Sequence, residues 1–218
     1  MKNIRLTVWI GMMCGCLAAG MLQAGTRPDN ACPAEEDGSR LWLPVMRPAE
    51  GAEVEVIYKG KVSPTIAIAI AELKNAWKGE PVLLEKKRTG QGDGFAITSS
   101  EHQVRILSST EAGLLYGVYC LLRMQAAGQV TVPLSVTEQP VYDLRILNHW
   151  DNPDGTVERG YAGRSLWNWE ELPGTLSPRY EAYARANASV GINGTVLNNV
   201  NASPQVLATS SLEKVKAL

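Results

Sequence analysis

One stretch constrains the fold more than any other. Residues 108–128, "SSTEAGLLYGVYCLLRMQAAG", place Leu114, Leu115, Val118, Leu121 and Leu122 on one helical face, with strand-length runs on both sides. An amphipathic helix set among short strands implies an α+β layer, a sheet covered by helices. Ser108 with Glu111 reads as a capping box at the start of this helix, and Gly128 closes it. Cys120 falls within it as a small core residue.

The flanking strands are "VEVIY" (54–58), "PVLLE" (81–85), "GFAIT" (94–98), "QVRIL" (103–107) and "QVTVP" (129–133). A second helix begins at Ser63-Pro64, a capping residue followed by proline at the first helical position. Ile66, Ile70, Leu73 and Trp77 recur along it at helical spacing, and Gly79 ends the pattern. The run "TIAIAIA" also alternates with period two, but the caps at both ends decide for helix. "GQGDG" (90–94) resembles a phosphate-cradling loop only loosely and reads as a glycine-rich hairpin turn. Residues 41–140 are therefore expected to form an α+β domain, preceded by a flexible lead-in over 25–40 and ending at a boundary near Pro140.

Composition narrows the partners. With 45% hydrophobic and 20% charged residues, the 218-residue chain is ordinary globular material for one or two domains. Its formal charge of −1 offers nothing to nucleic acid or to an anionic membrane surface. Residues 1–24 carry Lys2 and Arg5 ahead of the apolar run "LTVWIGMMCGCLAAGML" and end on Ala24, the pattern of a secretory signal peptide. The expectation is export, periplasmic or extracellular. An uncleaved anchor and lipid attachment at Cys14 or Cys16 are the alternatives. Beyond the leader only Cys32 and Cys120 remain, which is no disulfide framework. The two histidines, His102 and His149, have no metal-ligand spacing, so neither metal nor cofactor is expected.

After Pro140 the order is strand (142–147, "YDLRIL"), long loop, helix from Ser177-Pro178, and strand (194–200, "GTVLNNV"). The helix sets Tyr180, Tyr183 and Ala184 on one face. The loop from Trp150 to Ser177 far exceeds the roughly 2–6 residues usual between a strand and a helix, and loops of that length tend to carry function. It holds "HWDNPDGTVERGYAGRSLW" (149–167), dense in charge and indole. In a barrel of alternating strands and helices, ligands bind at the carboxyl ends of strands. Those ends deliver His149, Trp150, Asp151 and Asn152 from the first strand, and Asn198, Asn199, Val200 and Asn201 from the second. Indole faces with amides and carboxylates suit a sugar. The bland alternative is that Asp151, Asn152, Asp154 and Gly155 are turn formers and Trp150 is core.

"RILNHWDNPDGTVERGYAGRSLW" resembles the first barrel strand of the xylan-directed α-glucuronidases, glycoside hydrolase family 67, and "GINGTVLNNVN" resembles that family's second. The upstream unit is similar to the family's N-terminal α+β domain, shared in outline with β-hexosaminidases. The resemblance spans about residues 40–203. It implies a fold in which the α+β N-terminal domain is followed by the first βα units of a TIM (β/α)8 barrel. It also implies inverting hydrolysis of the α-1,2 bond between (4-O-methyl-)D-glucuronic acid and xylose, with glucuronoxylan-derived oligosaccharides as partners. Trp150 and Val200 match positions that form an apolar sheath around the methyl ether. Asp151, Asn152, Glu158, Arg159, Asn198 and Asn199 are further substrate-binding candidates, although Glu158 and Arg159 could equally pair with each other or brace the loop.

An inverting hydrolase needs a general acid and a general base roughly 6.5–9.5 Å apart. In the resembled family both come from later strands, so the catalytic residues are expected beyond Leu218. Residues 141–218 fall well short of the roughly 250 of a complete barrel, and the expectation is an incomplete barrel, inactive alone. Asp151 and Glu158, the only close acidic pair with a plausible setting, lack a visible supporting shell. A homodimer is open only to a full-length enzyme. The competing reading is a secreted, non-catalytic glycan-binding or accessory protein built on the α+β domain.

Overall fold

Alternation along three short strands builds the core. Val82 and Leu84, Phe95 and Ile97, and Val104 and Ile106 all turn to one face and are buried there, while the residues between them stay partly exposed. The computed structural model describes residues 42–44, 54–88, 92–148, 151–153, 155, 157–160, 163–197, 201 and 203–218, with only the backbone at 158 and 160. All belong to the unit Asp37–Leu218. The leader and the lead-in lie outside the described residues. Among the described residues, no helix is long and apolar enough to cross a membrane.

Strands β1 (Val56–Tyr58), β2 (Val82–Lys86), β3 (Phe95–Ser99), β4 (Val104–Ser108) and β5 (Ser135–Glu138) form a mixed sheet in the order β1-β2-β4-β3-β5. β1, β2 and β4 run parallel, and β3 and β5 pair antiparallel. Helices α1 (Pro64–Ala76) and α2 (Glu111–Ala126) cover one face, packed on each other and on the sheet. Ile66, Leu73, Leu114, Val118, Leu121 and Leu122 close the core from above. This is the expected α+β architecture. α2 comes close to the sheet because Gly117 lacks a side chain: a Cβ there would stand 2.6 Å from Ile106 Cγ2.

Several local expectations change. The helix from Ser63 forms as predicted, with the Ser63 hydroxyl accepting from the Ile66 N–H at 3.3 Å, but Trp77 is its extended C-cap rather than its last turn. α2 is capped by Thr110, whose Oγ1 accepts from the Gly113 N–H at 2.9 Å, and not by Ser108. Ser108 is held as the last residue of β4, where its hydroxyl donates to the Gly94 carbonyl at 2.6 Å. Glu111 faces Lys86 and the Ser63 hydroxyl instead of a capping partner, and those two contacts pull its carboxyl below the usual range. The turn before β3 is no hairpin, because β4 lies between β2 and β3.

The fifth strand is 135–138, not 129–133. Pro133 has no N–H for a ladder, whereas Leu134 and Ser99 exchange bonds (Leu134 N to Ser99 Oγ 2.8 Å, Ser99 N to Leu134 O 3.0 Å) that register the next four residues against β3. Beyond it, β6 (Ile146–Leu147) and β7 (Gly194–Thr195) form a separate parallel pair, joined through α3 (Pro178–Ser189). Both strands are shorter than the expected 142–147 and 194–200. A final helix, α4 (Thr209–Ala217), follows a 3-10 turn at Pro204–Leu207.

Candidate functional site

The parallel pair β6–β7 sets the site's base. Ile146 pairs with Gly194 and Leu147 with Thr195, so the chain leaves both strands from the same end, at Asn148 and Val196. The starts of the two strands are tied reciprocally. The Arg145 N–H donates to Asn193 Oδ1 at 2.8 Å, and the Asn193 N–H donates to the Arg145 carbonyl at 2.9 Å.

Asp151 and Asn152, both sugar-site candidates, are almost wholly buried, at 1% and 2% exposure. Asp151 Oδ2 accepts from the Ser165 hydroxyl at 2.6 Å and Oδ1 from the Leu166 N–H at 2.8 Å, and the Trp169 indole N–H reaches Oδ2 at 3.4 Å. Asn152 accepts from the Val157 N–H at 3.0 Å and donates to the Gly163 carbonyl at 2.6 Å. These two side chains thus brace the loop from within, as turn-forming residues do. Val157–Gly160 is a 3-10 turn with Val157 buried beneath it. Arg159 is exposed there, with a left-handed φ of 55°. The Glu158 side chain and His149, Trp150, Asn198, Asn199 and Val200 lie outside the described residues.

An aromatic wall follows the loop. The Trp167 ring packs on Tyr180 at 4.9 Å and edge-on to Tyr183 at 5.5 Å, and the Asn168 N–H donates to the Tyr180 hydroxyl at 2.6 Å. The Trp169 indole donates to Ser165 Oγ at 2.8 Å, and Lys214 of α4 donates to the Trp169 carbonyl. A cavity of about 760 Å3 opens beside Trp167, Tyr180, Tyr183, Asn187 and Thr195. A second, of about 610 Å3, runs along Asn152, Ser165, Trp167, Trp169 and Tyr180, with Arg164, Arg179, Glu170 and Glu171 at its margins. Rings beside amides and balanced charges can hold a polyhydroxylated ligand without favouring a strong net charge. Among the described residues, no group of three His, Cys, Asp or Glu is placed to hold a metal ion.

Sequence reasoning foresaw the loop and the Tyr180/Tyr183 face of α3, but not Ser165 or Trp169. No spacing rule links them to Asp151. Their partnership exists only once the loop turns back on itself.

Residues 124–218 match the family model described as "Glycosyl hydrolase family 67 middle domain". Over 122 residues the chain is 43% identical to "Probable alpha-glucuronidase A" of Neosartorya fischeri and 39% identical to the protein of that name from Aspergillus clavatus. Each match covers 56% of this chain and 14% of the relative. "Alpha-glucuronidase A" of Emericella nidulans is 35% identical over 128 residues, 56% of this chain and 15% of that protein. The chain therefore spans a small part of the length of the curated relatives it matches. The matched segment, residues 124–218, holds the long loop, the aromatic wall and the β6–β7 pair, so the likeness to glycosyl hydrolase family 67 falls on the candidate site.

Proposed function

We propose that these residues serve an exported α-glucuronidase of xylan breakdown, hydrolysing with inversion the α-1,2 bond between (4-O-methyl-)D-glucuronic acid and xylose in xylo-oligosaccharides. The observation that carries this reading is the family match over the segment containing the long loop, together with relatives named α-glucuronidases. β6 and β7 are read as the first two strands of a (β/α)8 barrel. Their parallel register supports this, since it brings both loops out on one side.

In this reading Trp150 and Val200 form the sheath for the methyl ether, and Asn198, Asn199, Glu158 and Arg159 contact the sugar. Asp151 and Asn152 belong to the site as the frame that sets the loop. With its oxygens taken up by Ser165, Leu166 and Trp169, Asp151 is read as frame and not as general acid or base, and that pair is assigned to later barrel strands, as the family resemblance implies.

The test uses aldouronic acids. A product carrying these residues together with later barrel strands is expected to release 4-O-methylglucuronic acid with anomeric inversion, and residues 1–218 alone are expected to release none. Trp150→Ala is expected to cut the preference for methylated over unmethylated substrate about fivefold, the worth of one buried methyl. Turnover by residues 1–218 alone would overturn the placement of the acid and base. Binding of xylo-oligosaccharide by the longer product without any release would favour a glycan-binding role instead.

A further inference from the structure

Two arginines from the segment after Pro140 reach back to the sheet-covering helices, and they do so in the same way. Arg145 lies over the Tyr116 ring at 5.4 Å and pairs with Asp93 at 3.3 Å. Arg185 lies over the Tyr119 ring at 5.8 Å and forks onto Glu72, with Nε to Oε1 at 2.5 Å and Nη2 to Oε2 at 2.8 Å. Tyr116 and Tyr119 stand three residues apart on α2, hence on one face. A third cation, Arg123 of the same helix, donates to the Ser189 carbonyl at the end of α3. Each clamp also holds backbone. Arg145 donates to the Gly191 carbonyl at 2.5 Å and the Tyr142 carbonyl at 2.8 Å, and Arg185 donates to the Leu43 carbonyl at 2.8 Å.

Burial alone does not set how α3 sits on α2. The buried residues of α3 are the polar Asn187 and Ser189, and the small Ala188 is what it packs, partly buried, against the hydrophobic core. A smooth face of this kind permits several rotations and slides, because no large side chain interlocks with a groove. Directional, charge-assisted bonds remove that freedom. We propose that Arg145 and Arg185 are positioning residues, through which α1 and α2 together set the placement of the loop 163–177 and of the β6–β7 starts. The inference rests on the reading of that loop as part of a sugar site.

The path from clamp to loop is short. Arg185 is five residues from Tyr180 along α3, about 7.5 Å of rigid helix, and Tyr180 holds Asn168 and packs on Trp167. Arg145 holds the other side, since its backbone sets the register with Asn193 at the start of both strands. Asp93, its partner, also accepts from the Thr110 hydroxyl at 2.9 Å, so this clamp ends on the N-cap of α2.

Hydrogen–deuterium exchange on the 218-residue chain tests the inference, with Arg185→Lys, Arg185→Met and Glu72→Gln. Lys keeps the charge but not the fork, so all three are expected to speed exchange over 163–180 by about tenfold or more, with β2–β4 amides changed less than about threefold. The charge-swapped pair Glu72→Arg with Arg185→Glu is expected to recover at least part of the protection. Equal acceleration throughout, or none over 163–180, would overturn the proposal. Arg185→Lys, the mildest change, keeps the test readable where Arg185→Met fails to fold. In a longer product with turnover, Arg185→Lys is expected to lower kcat at least threefold at nearly constant KM; an unchanged kcat would count against positioning. Absence of turnover in the unsubstituted protein would overturn the functional reading, while the exchange data still decide the clamp.

Discussion

Arg185 and Glu72 meet as a two-pronged ion pair across 113 residues of sequence, joining α3 to α1 with both side chains largely out of water. A pair so placed is costly to break from one side, because the remaining charge stays buried without its partner. Arg185→Met or Glu72→Gln is therefore expected to lower unfolding stability by about 3 kcal/mol. Urea denaturation read by far-ultraviolet circular dichroism checks this. Replacing both together is expected to cost less than the sum of the two single changes, and strict additivity would show that the pair is not coupled.

Gly117→Ala sets two effects against each other. Alanine favours a helix interior by about 1 kcal/mol over glycine. Here its methyl would stand 2.6 Å from Ile106 Cγ2 and 3.3 Å from the Phe95 ring. Overpacking of a closed core costs about 1–3 kcal/mol, so the clash is expected to win with a modest net loss. A thermal melt decides it, and a raised midpoint would mean that α2 can lift off the sheet.

Asp151→Ala removes the acceptor for the Ser165 hydroxyl and the Leu166 N–H at a buried position. Leaving such donors without partners costs about 1–3 kcal/mol, and the loss falls on the loop rather than on the sheet. Limited trypsin digestion should then cut after Arg159 and Arg164 well before the unsubstituted chain is cut. Equal cleavage rates would remove Asp151 from its bracing role. Asp151→Asn, which keeps one acceptor oxygen, is expected to fall between the two.

Alkaline pH should destabilise the core from within. Burial pushes the Cys120 thiol above its ordinary 9.0 and the Tyr119 phenol above its ordinary 10.0, with the neighbouring Glu72 charge adding to the second. Both groups are neutral when protonated, so the folded chain holds these protons more tightly than the unfolded chain does. Their stabilising contribution is whole below the unfolded values and is lost as pH rises toward the raised folded values. Urea midpoints are expected to fall from about pH 9 upward, first through Cys120 and then through Tyr119. Tyr119→Phe should flatten the later part of that slope, and an unchanged slope would sink the assignment.

The helices and central strands were legible because their signals are local. Ser63-Pro64 and Ser177-Pro178 start helices by satisfying backbone donors within three residues, and alternation in 82–86, 95–99 and 104–108 sorts side chains by face without reference to any partner. The long loop stood out for a similar reason, since no short connection needs so many indoles and charges. Where two local signals competed, the tertiary structure chose. Ser108 could cap a helix or end a strand, and β4's pairing with β2 and β3 took it into the strand, leaving the cap to Thr110. The expected fifth strand at 129–133 gave way to one at 135–138, registered by the bonds between Ser99 and Leu134. Asp151 read as a sugar contact from its place after a strand, yet its geometry depends on Ser165 and Trp169 turning back toward it. Sequence by itself determined the helices begun at Ser63-Pro64 and Ser177-Pro178, the α2 helix and the three central strands, and it carries the match of residues 124–218 to the family model. Only the folded chain decided the sheet order, the bracing of the loop and the clamps of Arg145 and Arg185, because each depends on partners whose distance in sequence no periodicity records.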